Sequence, residues 1–324
     1  MLERLDPQLV GPVKMMLSMQ GENLLDDIPA ARAGSRKMME MMKQYLPVIP
    51  GITAEDYRIP EPDGTAEITL RIYRPEGNDD YLPALYWIHG GGYIMGDIEQ
   101  DDMSARQITL AADCVTASVE YRLAPENPFP IPLEDCYTGL KWLFEHAEEL
   151  KIDTSRIAIG GGSAGGGLAA GLALLVRDRA EMEVCHQFLL YPMIDDRNVL
   201  PPDEEHPDAL FWTRANNLIG WRSYLGREPG GENVVPYAAP ARAVQLIGLP
   251  PAYIAVGDID LFAEEDIEYG RKLITAGVPL EMHVYPGGCH AFDMMNPEAD
   301  ICRHFNDDFR RALRRALHGF SYKR

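Results

Sequence analysis

The chain has 324 residues, of which 46% are hydrophobic and 25% charged, a composition typical of a globular protein with one large domain or two smaller ones. Thirty Lys and Arg residues against fifty Asp and Glu residues give a formal net charge of −20, which would repel nucleic-acid phosphates and anionic membrane surfaces. The composition therefore excludes a typical nucleic-acid-binding protein.

The cysteines and the first residues of the chain bear on its compartment. The cysteines are odd in number, widely spaced and without a CxxC pair, which disfavours a disulfide framework or a zinc site; they are Cys114, Cys136, Cys185, Cys289 and Cys302. Charged residues interrupt the first thirty positions, so we expect neither a secretory signal nor a membrane span there. These features predict a reduced, cytoplasmic protein with no metal and no membrane partner.

Residues 1–50 have a helical pattern and are rich in methionine. The methionines form two clusters, Met15, Met16 and Met19, then Met38, Met39, Met41 and Met42. One interpretation is that they fill an irregular interface between helices, as methionine often does. The other is that the segment forms a cap over a site.

Seven short runs rich in β-forming residues follow along the chain. They begin at Glu67, Ala84, Val115, Arg156, Gln187, Ala252 and Leu280. Segments with helical spacing separate several of them, including residues 133–146, 168–177 and 263–276. This alternation predicts an α/β fold whose largely parallel sheet is covered by helices on both faces. In such folds the loops at the carboxyl ends of the strands build the site.

The first motif with chemical content is His89-Gly90-Gly91-Gly92, directly after the run that begins at Ala84. Consecutive glycines allow the backbone N–H groups of Gly91 and Gly92 to point into a cavity. An enzyme of acyl transfer needs such donors to stabilise a tetrahedral oxyanion. The simpler alternative is a flexible turn, although a turn needs fewer glycines.

The second motif is RIAIGGGSAGGG, in which a strand runs into glycines and then into a helix of small residues. Gly161, Ser163 and Gly165 satisfy GxSxG. A nucleophile at the centre of this pattern projects from a strained strand-to-helix turn, where flanking side chains would collide with the backbone. The start of the following helix adds backbone donors that favour negative charge.

The same glycines permit two other interpretations. Gly160, Gly162 and Gly165 match the GxGxxG pattern of a dinucleotide-binding turn, with Glu183 as the acid that would bind a ribose. The glycines can also serve close packing alone. The GxSxG motif by itself does not decide among these interpretations.

An insertion interrupts the alternation of strands and helices at residues 196–235. It begins with the Pro- and acid-rich sequence LPPDEEHPD and continues as a helix-like run over 212–225. We expect this insertion and residues 1–50 to form a helical cap. The catalytic domain would then consist of residues 51–195 and 236–324.

Two further polar residues follow predicted strands. Asp260 comes after the strand that begins at Ala252, and His290 comes after the last predicted strand. Each alone has a simpler interpretation, Asp260 as a helix N-cap and His290 as a loop residue. Together with Ser163 they give the chain order of an α/β-hydrolase triad, Ser, Asp, His. Asp258 remains an alternative for the acid.

Five motifs together resemble the hormone-sensitive-lipase family of carboxylesterases, and more loosely its bacterial heroin esterase branch. They are HGGG from His89, YRLAPENPFP from Tyr121, GGSAGG from Gly161, DLFAEED from Asp260 and GGCHAF ending at Phe292. The resemblance covers roughly residues 65–315. It implies an α/β-hydrolase fold with an eight-stranded, mostly parallel sheet and a helical cap made from the N-terminal segment and an insertion after the sixth strand.

The resemblance also implies roles for individual residues. Ser163 would be the nucleophile, His290 the base and Asp260 the acid that orients His290. The N–H groups of Gly91, Gly92 and Ala164 would form the oxyanion hole.

The chain departs from the usual pattern of the family at three positions. Gly162 stands where most members have Asp or Thr, Leu261 where Pro is usual, and Ala291 where Gly usually follows the histidine. The Gly162 form is similar to the heroin esterase branch. None of these changes removes a catalytic group.

The sequence thus predicts a serine carboxylesterase for small to medium uncharged esters, with a small-molecule ester as its partner and no cofactor. The oligomeric state is left open, with a homodimer as one candidate. The alternative from another class is a non-catalytic ligand receptor on the same fold, but such receptors lose the histidine that this chain keeps as His290. A dinucleotide-dependent oxidoreductase would leave HGGG, Asp260 and His290 unexplained.

Two neighbouring features favour a structural interpretation. Tyr121, Arg122, Glu126 and Asp135 are predicted to form a polar brace beneath the site. Cys289, next to the histidine, is predicted to be a buried bystander rather than a modifiable thiol.

Overall fold

The structure, a computed structural model, describes residues 1–19, 24–43, 45, 47–60, 64, 66–201 and 209–319. Within these ranges a single sheet contains β1 (Ile52–Pro60), β2 (Glu67–Pro75), β3 (Leu82–Ile88), β4 (Val115–Glu120), β5 (Ile152–Gly162), β6 (Gln187–Leu190), β7 (Ala252–Gly257) and β8 (Leu280–Tyr285). The strand order is β1-β2-β4-β3-β5-β6-β7-β8. β2 pairs antiparallel with β1 and β4, and every other neighbouring pair is parallel.

Helices cover both faces of the sheet. They are α1 (Val10–Met19), α2 (Ile28–Lys43), α3 (Asp102–Ala112), α4 (Ile131–Glu145), α5 (Ala164–Arg179), α6 (Arg214–Leu225), α7 (Ala263–Thr275) and α8 (Asp300–His318). Tyr86 and Ile88 of the central strand β3 join a core with α4, α5 and α7. Leu85 and Trp87 point the other way and join a core with α3 and α8. This period of two explains why β3 is apolar along its whole length.

The predicted α/β-hydrolase architecture is confirmed, including the eight-stranded and mostly parallel sheet. Each of the seven β-forming runs lies in a strand. β1 has no apolar alternation that would predict a strand, because Ile59 is its one buried residue and most of its other positions are polar and exposed. This edge strand is defined by its antiparallel pairing with β2 rather than by apolar alternation.

The two segments expected to form a cap contribute helices outside the sheet. Residues 1–50 supply α1 and α2, and the insertion at 196–235 supplies α6. Residues 202–208, which include most of the acid-rich loop of the insertion, lie outside the described part of the chain. The division into cap and catalytic domain stays a prediction at this point.

Most of the described methionine side chains in the first fifty residues do not fill a helix interface. Five of them expose 44–62% of their surface, namely Met15, Met16, Met38, Met41 and Met42. The gap-filling interpretation is wrong for these residues. Met39 is half-buried and lines the central cavity, and the side chain of Met19 lies outside the described residues.

Polar contacts hold α2 against the rest of the molecule. The Arg32 guanidinium donates to both carboxylate oxygens of Glu126 and to the carbonyl oxygens of Ile94 and Ala124. Arg36 donates to the carboxylate of Asp97. These polar contacts supplement the packing of Ile28 and the buried Ala31 of this helix against the core. In the described part of the chain, no helix has the length and apolar character needed to cross a bilayer.

Candidate active site

Ser163 lies in the sharp turn between β5 and α5, at the carboxyl end of the sheet. Its φ of 57° and ψ of −122° belong to a region that side-chain-bearing residues rarely adopt, at a cost on the order of 1–3 kcal/mol. A Cβ on Gly165 would lie 2.0 Å from the carbonyl oxygen of Ile88, and one on Gly161 would lie 2.5 Å from that same oxygen. The turn therefore requires glycine on both sides of the serine.

The structure brings Ser163, His290 and Asp260 together. Nε2 of His290 lies 2.9 Å from Oγ of Ser163, and Nδ1 of His290 lies 2.9 Å from Oδ2 of Asp260. Each of the three residues is at most 8% exposed. The serine hydroxyl, the imidazole and the carboxylate thus form one buried hydrogen-bonded chain.

Asp258, the alternative acid, has other contacts. Its Oδ1 accepts a hydrogen bond from the Gly287 amide at 2.6 Å, and its carboxylate pairs with Arg4. Asp260 is the carboxylate that contacts His290, and it also accepts from the Phe262 amide. The geometry therefore favours Asp260 over Asp258 as the partner of the imidazole.

The glycines after His89 bend the chain beside Ser163. Gly91 and Gly92 have φ of 115° and 61°, values that favour glycine. The Gly91 carbonyl accepts from the amides of Ile94 and Met95. Among the described residues, neither the Gly91 nor the Gly92 amide donates to a backbone carbonyl. Ala164 begins α5, so its amide is one of the unpaired donors of a helix N-terminus.

His89, which precedes these glycines, is buried and packs against Tyr121. It is 3% exposed, and its ring stacks on Tyr121 with centroids 4.3 Å apart. Burial lowers the pKa of His89 to about 4, so its imidazole is neutral at physiological pH. The Tyr121 hydroxyl donates to the carbonyl oxygen of His89 at 3.0 Å.

The YRLAPE segment acts as the predicted polar brace. The Arg122 guanidinium binds both carboxylate oxygens of Asp135, which is fully buried. Glu126 is half-exposed and extends the brace outward to Arg32 of α2. None of these groups contacts Ser163 or His290.

Cys289 is a bystander, as predicted. The residue is fully buried. Burial raises the pKa of the Cys289 thiol to about 12, so it stays protonated and unreactive at neutral pH. Within the described ranges, no three His, Cys, Asp or Glu side chains are arranged to hold a metal ion.

The dinucleotide interpretation does not fit this turn. Glu183 is exposed and follows the carboxyl end of α5, a 16-residue helix that is about 24 Å long at 1.5 Å per residue. The glycines lie at the opposite end of that helix. An acid there is too far away to bind a ribose whose phosphates occupy the glycine turn.

A connected cavity of about 2340 Å³ opens onto Ser163 and His290. Its lining includes Tyr191, which packs against His290, and Trp212, which lies against Gly92. Leu190, Phe211, Met39, Pro47 and Val48 also line it. No sequence motif marked Tyr191, Phe211 or Trp212 as lining residues. Tyr191 directly follows β6, a position at the carboxyl edge that could have marked it.

Comparisons with known proteins agree with this geometry. A family model described as alpha/beta hydrolase fold matches residues 85–294. The structure is similar to that of a bacterial heroin esterase, with a TM-score of 0.90 and 37% identity over 98% of this chain and 99% of the other. It is also similar to esterase LipW from Mycobacterium marinum, with a TM-score of 0.84 and 30% identity over 97% and 96% of the two chains.

A relative known by sequence is esterase LipI of Mycobacterium tuberculosis, which is 38% identical over 260 residues, 80% of this chain and 79% of the relative. The chain belongs to the α/β-hydrolase family that this model describes. The predicted resemblance to hormone-sensitive-lipase-like esterases is confirmed, and the names of these relatives bear out the predicted class of carboxylic ester hydrolase.

Proposed function

We propose that the protein is a serine carboxylesterase that hydrolyses small to medium uncharged carboxylic esters through an acyl-enzyme. The observation that carries this proposal is the chain of two 2.9 Å contacts from Ser163 through His290 to Asp260, built on a strained strand-to-helix turn. A nucleophile, a base within hydrogen-bond reach and a group that orients the base are the parts that nucleophilic acyl transfer needs.

In the first half of the reaction, Nε2 of His290 accepts the proton of Ser163 as Oγ attacks the ester carbonyl carbon. The carbonyl π electrons move to oxygen, and the amides of Gly91, Gly92 and Ala164 stabilise that oxyanion. Collapse of the intermediate restores the carbonyl and breaks the bond to the alkoxide. The alkoxide takes the proton from His290 and leaves as the alcohol.

In the second half, water repeats the attack on the acyl-enzyme. His290 accepts a proton from the water, and the collapse of the second intermediate returns that proton to Oγ as the acid is released. Asp260 fixes the imidazole so that Nε2 faces the serine, and it stabilises the imidazolium formed in each half. No cofactor is needed for these steps.

The lining of the cavity beside the serine supports the proposed substrate class. Apolar side chains there favour an uncharged ester, and the Trp212 indole against Gly92 forms a wall that favours chains of limited length. We also propose that residues 1–50 and 196–235 form the cap over a catalytic domain of residues 51–195 and 236–324. Met39 and Trp212, one from each cap segment, line the cavity. A cytoplasmic location and a homodimer stay predictions.

The non-catalytic receptor is the competing function. It would bind a ligand in the same cavity without covalent chemistry, and the intact contact between His290 and Ser163 argues against it. Turnover of a substrate separates the two functions, because a receptor would bind an ester without releasing its alcohol.

The test combines hydrolysis of p-nitrophenyl acetate with covalent labelling by an organophosphate. We expect the label on Ser163, and we expect Ser163→Ala to abolish labelling and to lower kcat by several orders of magnitude with the fold intact. Ser155→Ala is the matched control, since Ser155 is an exposed serine on the same strand and should leave both readouts unchanged. Labelling of another serine, or hydrolysis that survives Ser163→Ala, would refute the proposal.

A further inference from the structure

Two aromatic rings pack against the His290 imidazole, whose Nδ1 contacts Asp260. Tyr191 packs edge-to-face against it with centroids 5.1 Å apart and an interplanar angle of 70°, and Phe262 does so at 5.2 Å and 87°. Tyr191 is 5% exposed, and its φ of 37° is a strained value for a residue with a side chain. Its amide donates to the Ala255 carbonyl at 2.7 Å, which fixes the ring beside the histidine.

A second carboxylate lies behind this ring. Asp293 is in the short 3-10 helix Phe292–Met294, three residues after His290, and it lines the cavity. Its carboxylate faces the Tyr191 hydroxyl, and it lies close enough to His290 for the charge of an imidazolium there to act on it. Its Oδ1 atom is buried and accepts no hydrogen bond from any described residue. The reaction as proposed above gives this group no role.

Among the described groups that act on the charge of Asp293, His290 is the one that can carry a positive charge. Cys289 and Cys302 face it from the same loop and from α8, and burial raises the pKa of these thiols to about 12 and about 11, so both are neutral. Asp101, just before α3, and Asp260 lie near Tyr191 and would only repel a negative charge. A buried carboxylate is costly unless a positive charge compensates for it.

We propose that Asp293 is a positioning residue for His290. The Asp293 carboxylate, behind the Tyr191 ring, stabilises the imidazolium that forms when Ser163 is deprotonated. This inference rests on the proposed function. The proton path is unchanged, since Asp293 neither gives nor takes a proton in the reaction. Its buried Oδ1 atom is less screened by water than the oxygens of an exposed carboxylate would be.

The effect of Asp293 on turnover should depend on pH. Burial raises the pKa of Asp293 to about 6, so the carboxylate is charged at pH 8 and becomes neutral as the pH falls through 6. Asp293 should therefore support turnover at neutral and alkaline pH and lose its effect in acid.

The test is the pH profile of kcat/KM for Asp293→Asn with p-nitrophenyl acetate. Without the negative charge the imidazolium is less stable, so the midpoint of the acid limb should move by about 0.5–1 pH unit to lower pH. We expect kcat at pH 8 to fall about three- to tenfold and KM to change less than twofold, because the charge acts on the transition state rather than on ester binding. Asp293→Glu should restore the midpoint at least in part.

Two further variants provide a charge control and a second test of the role of Asp293. Glu298→Gln removes one negative charge from an exposed position and should not move the midpoint. Tyr191→Phe keeps the ring but removes the hydroxyl that favours the ionised form of Asp293, so the midpoint should move in the same direction by a smaller amount. This variant carries the test if Asp293→Asn does not fold.

An unmoved midpoint in the folded variants would overturn the inference, whatever happens to kcat, because a merely structural role lowers activity without shifting the profile. The outcome for the proposed function is separate. If Ser163→Ala stays active, the esterase mechanism fails. If Ser163→Ala is inactive and Asp293→Asn keeps the wild-type profile, only the role of Asp293 fails.

Discussion

The indole of Trp212 lies directly against the backbone of Gly92. A Cβ on Gly92 would be 2.0 Å from Cη2 of Trp212, closer than any two such atoms can approach. The insertion at 196–235 therefore contacts the loop whose amides are proposed to hold the oxyanion. Because Gly92 has no side chain, it can adopt a φ of 61° and also make this contact.

Gly92→Ala should damage the site without unfolding the protein. The added methyl group would displace Trp212 or the glycine loop and misalign the Gly92 amide. The loss of one oxyanion donor costs about a hundredfold to a thousandfold in kcat, and we expect a fall of that order for p-nitrophenyl acetate. Gly277→Ala is the control, since Gly277 also has a positive φ, 75°, but no atom within 4 Å of an added Cβ. A Gly92→Ala enzyme with wild-type kcat would contradict the oxyanion assignment.

Trp212 should also limit the length of the ester that the site accepts. A series of p-nitrophenyl esters from acetate to palmitate should give the highest kcat/KM at short or medium acyl chains. Trp212→Ala removes an aromatic wall next to Gly92 and should shift the preference toward longer chains. The highest kcat/KM on palmitate in the unmodified enzyme would argue against a walled pocket.

Asp260 and Asp258 can be separated by paired substitutions. Asp260→Asn should lower kcat by about three to four orders of magnitude with little change in KM, because an amide cannot hold the imidazole in the required tautomer. Asp258→Asn keeps an acceptor for the Gly287 amide and should cost less than about tenfold. Steady-state kinetics on both variants decide the assignment, and the reverse pattern would exchange the two roles.

The candidate site residues that follow a recognisable strand could be predicted from the sequence. Ser163, Asp260 and His290 each come after an apolar run, so their meeting at one edge of the sheet could be predicted from topology alone. Phe262 and Trp212 could not, since aromatic rings are common in cores and only the packed chain brings these two to the histidine or the glycine loop.

The N-terminal helices show a different limit of sequence analysis. Methionine side chains predicted a packed interface, yet α2 turns Arg32 inward and leaves Met38, Met41 and Met42 exposed. Its partners are the carbonyl oxygen of Ala124 and acidic groups that are distant in sequence. Polar contacts over such separations leave no periodic signal in the helix itself.

Glu120 should make the stability of the fold depend on pH. Glu120 ends β4, and its carboxylate accepts the Ile98 amide at 2.7 Å. Burial raises the pKa of Glu120 from its ordinary value of 4.5 to about 7. The folded state thus prefers the protonated form. Below pH 4.5 the group is protonated in both states and costs nothing, whereas ionisation destabilises the fold increasingly as the pH rises from 4.5 through about 7.

Glu120→Gln should remove this cost, because the amide stays neutral and its oxygen still accepts the Ile98 amide. Compared with the unmodified protein, we expect no gain in Tm at pH 4 and a gain at pH 8 of about 2 °C, equivalent to about 1 kcal/mol after solvent screening. Thermal melts followed by circular dichroism at both pH values provide the measurement. Glu232→Gln, at an exposed glutamate, should give no such pH-dependent difference. A Glu120→Gln protein that is less stable than the unmodified one at pH 8 would mean that the carboxylate is stabilised in the fold, and the assigned direction of the pKa shift would be wrong.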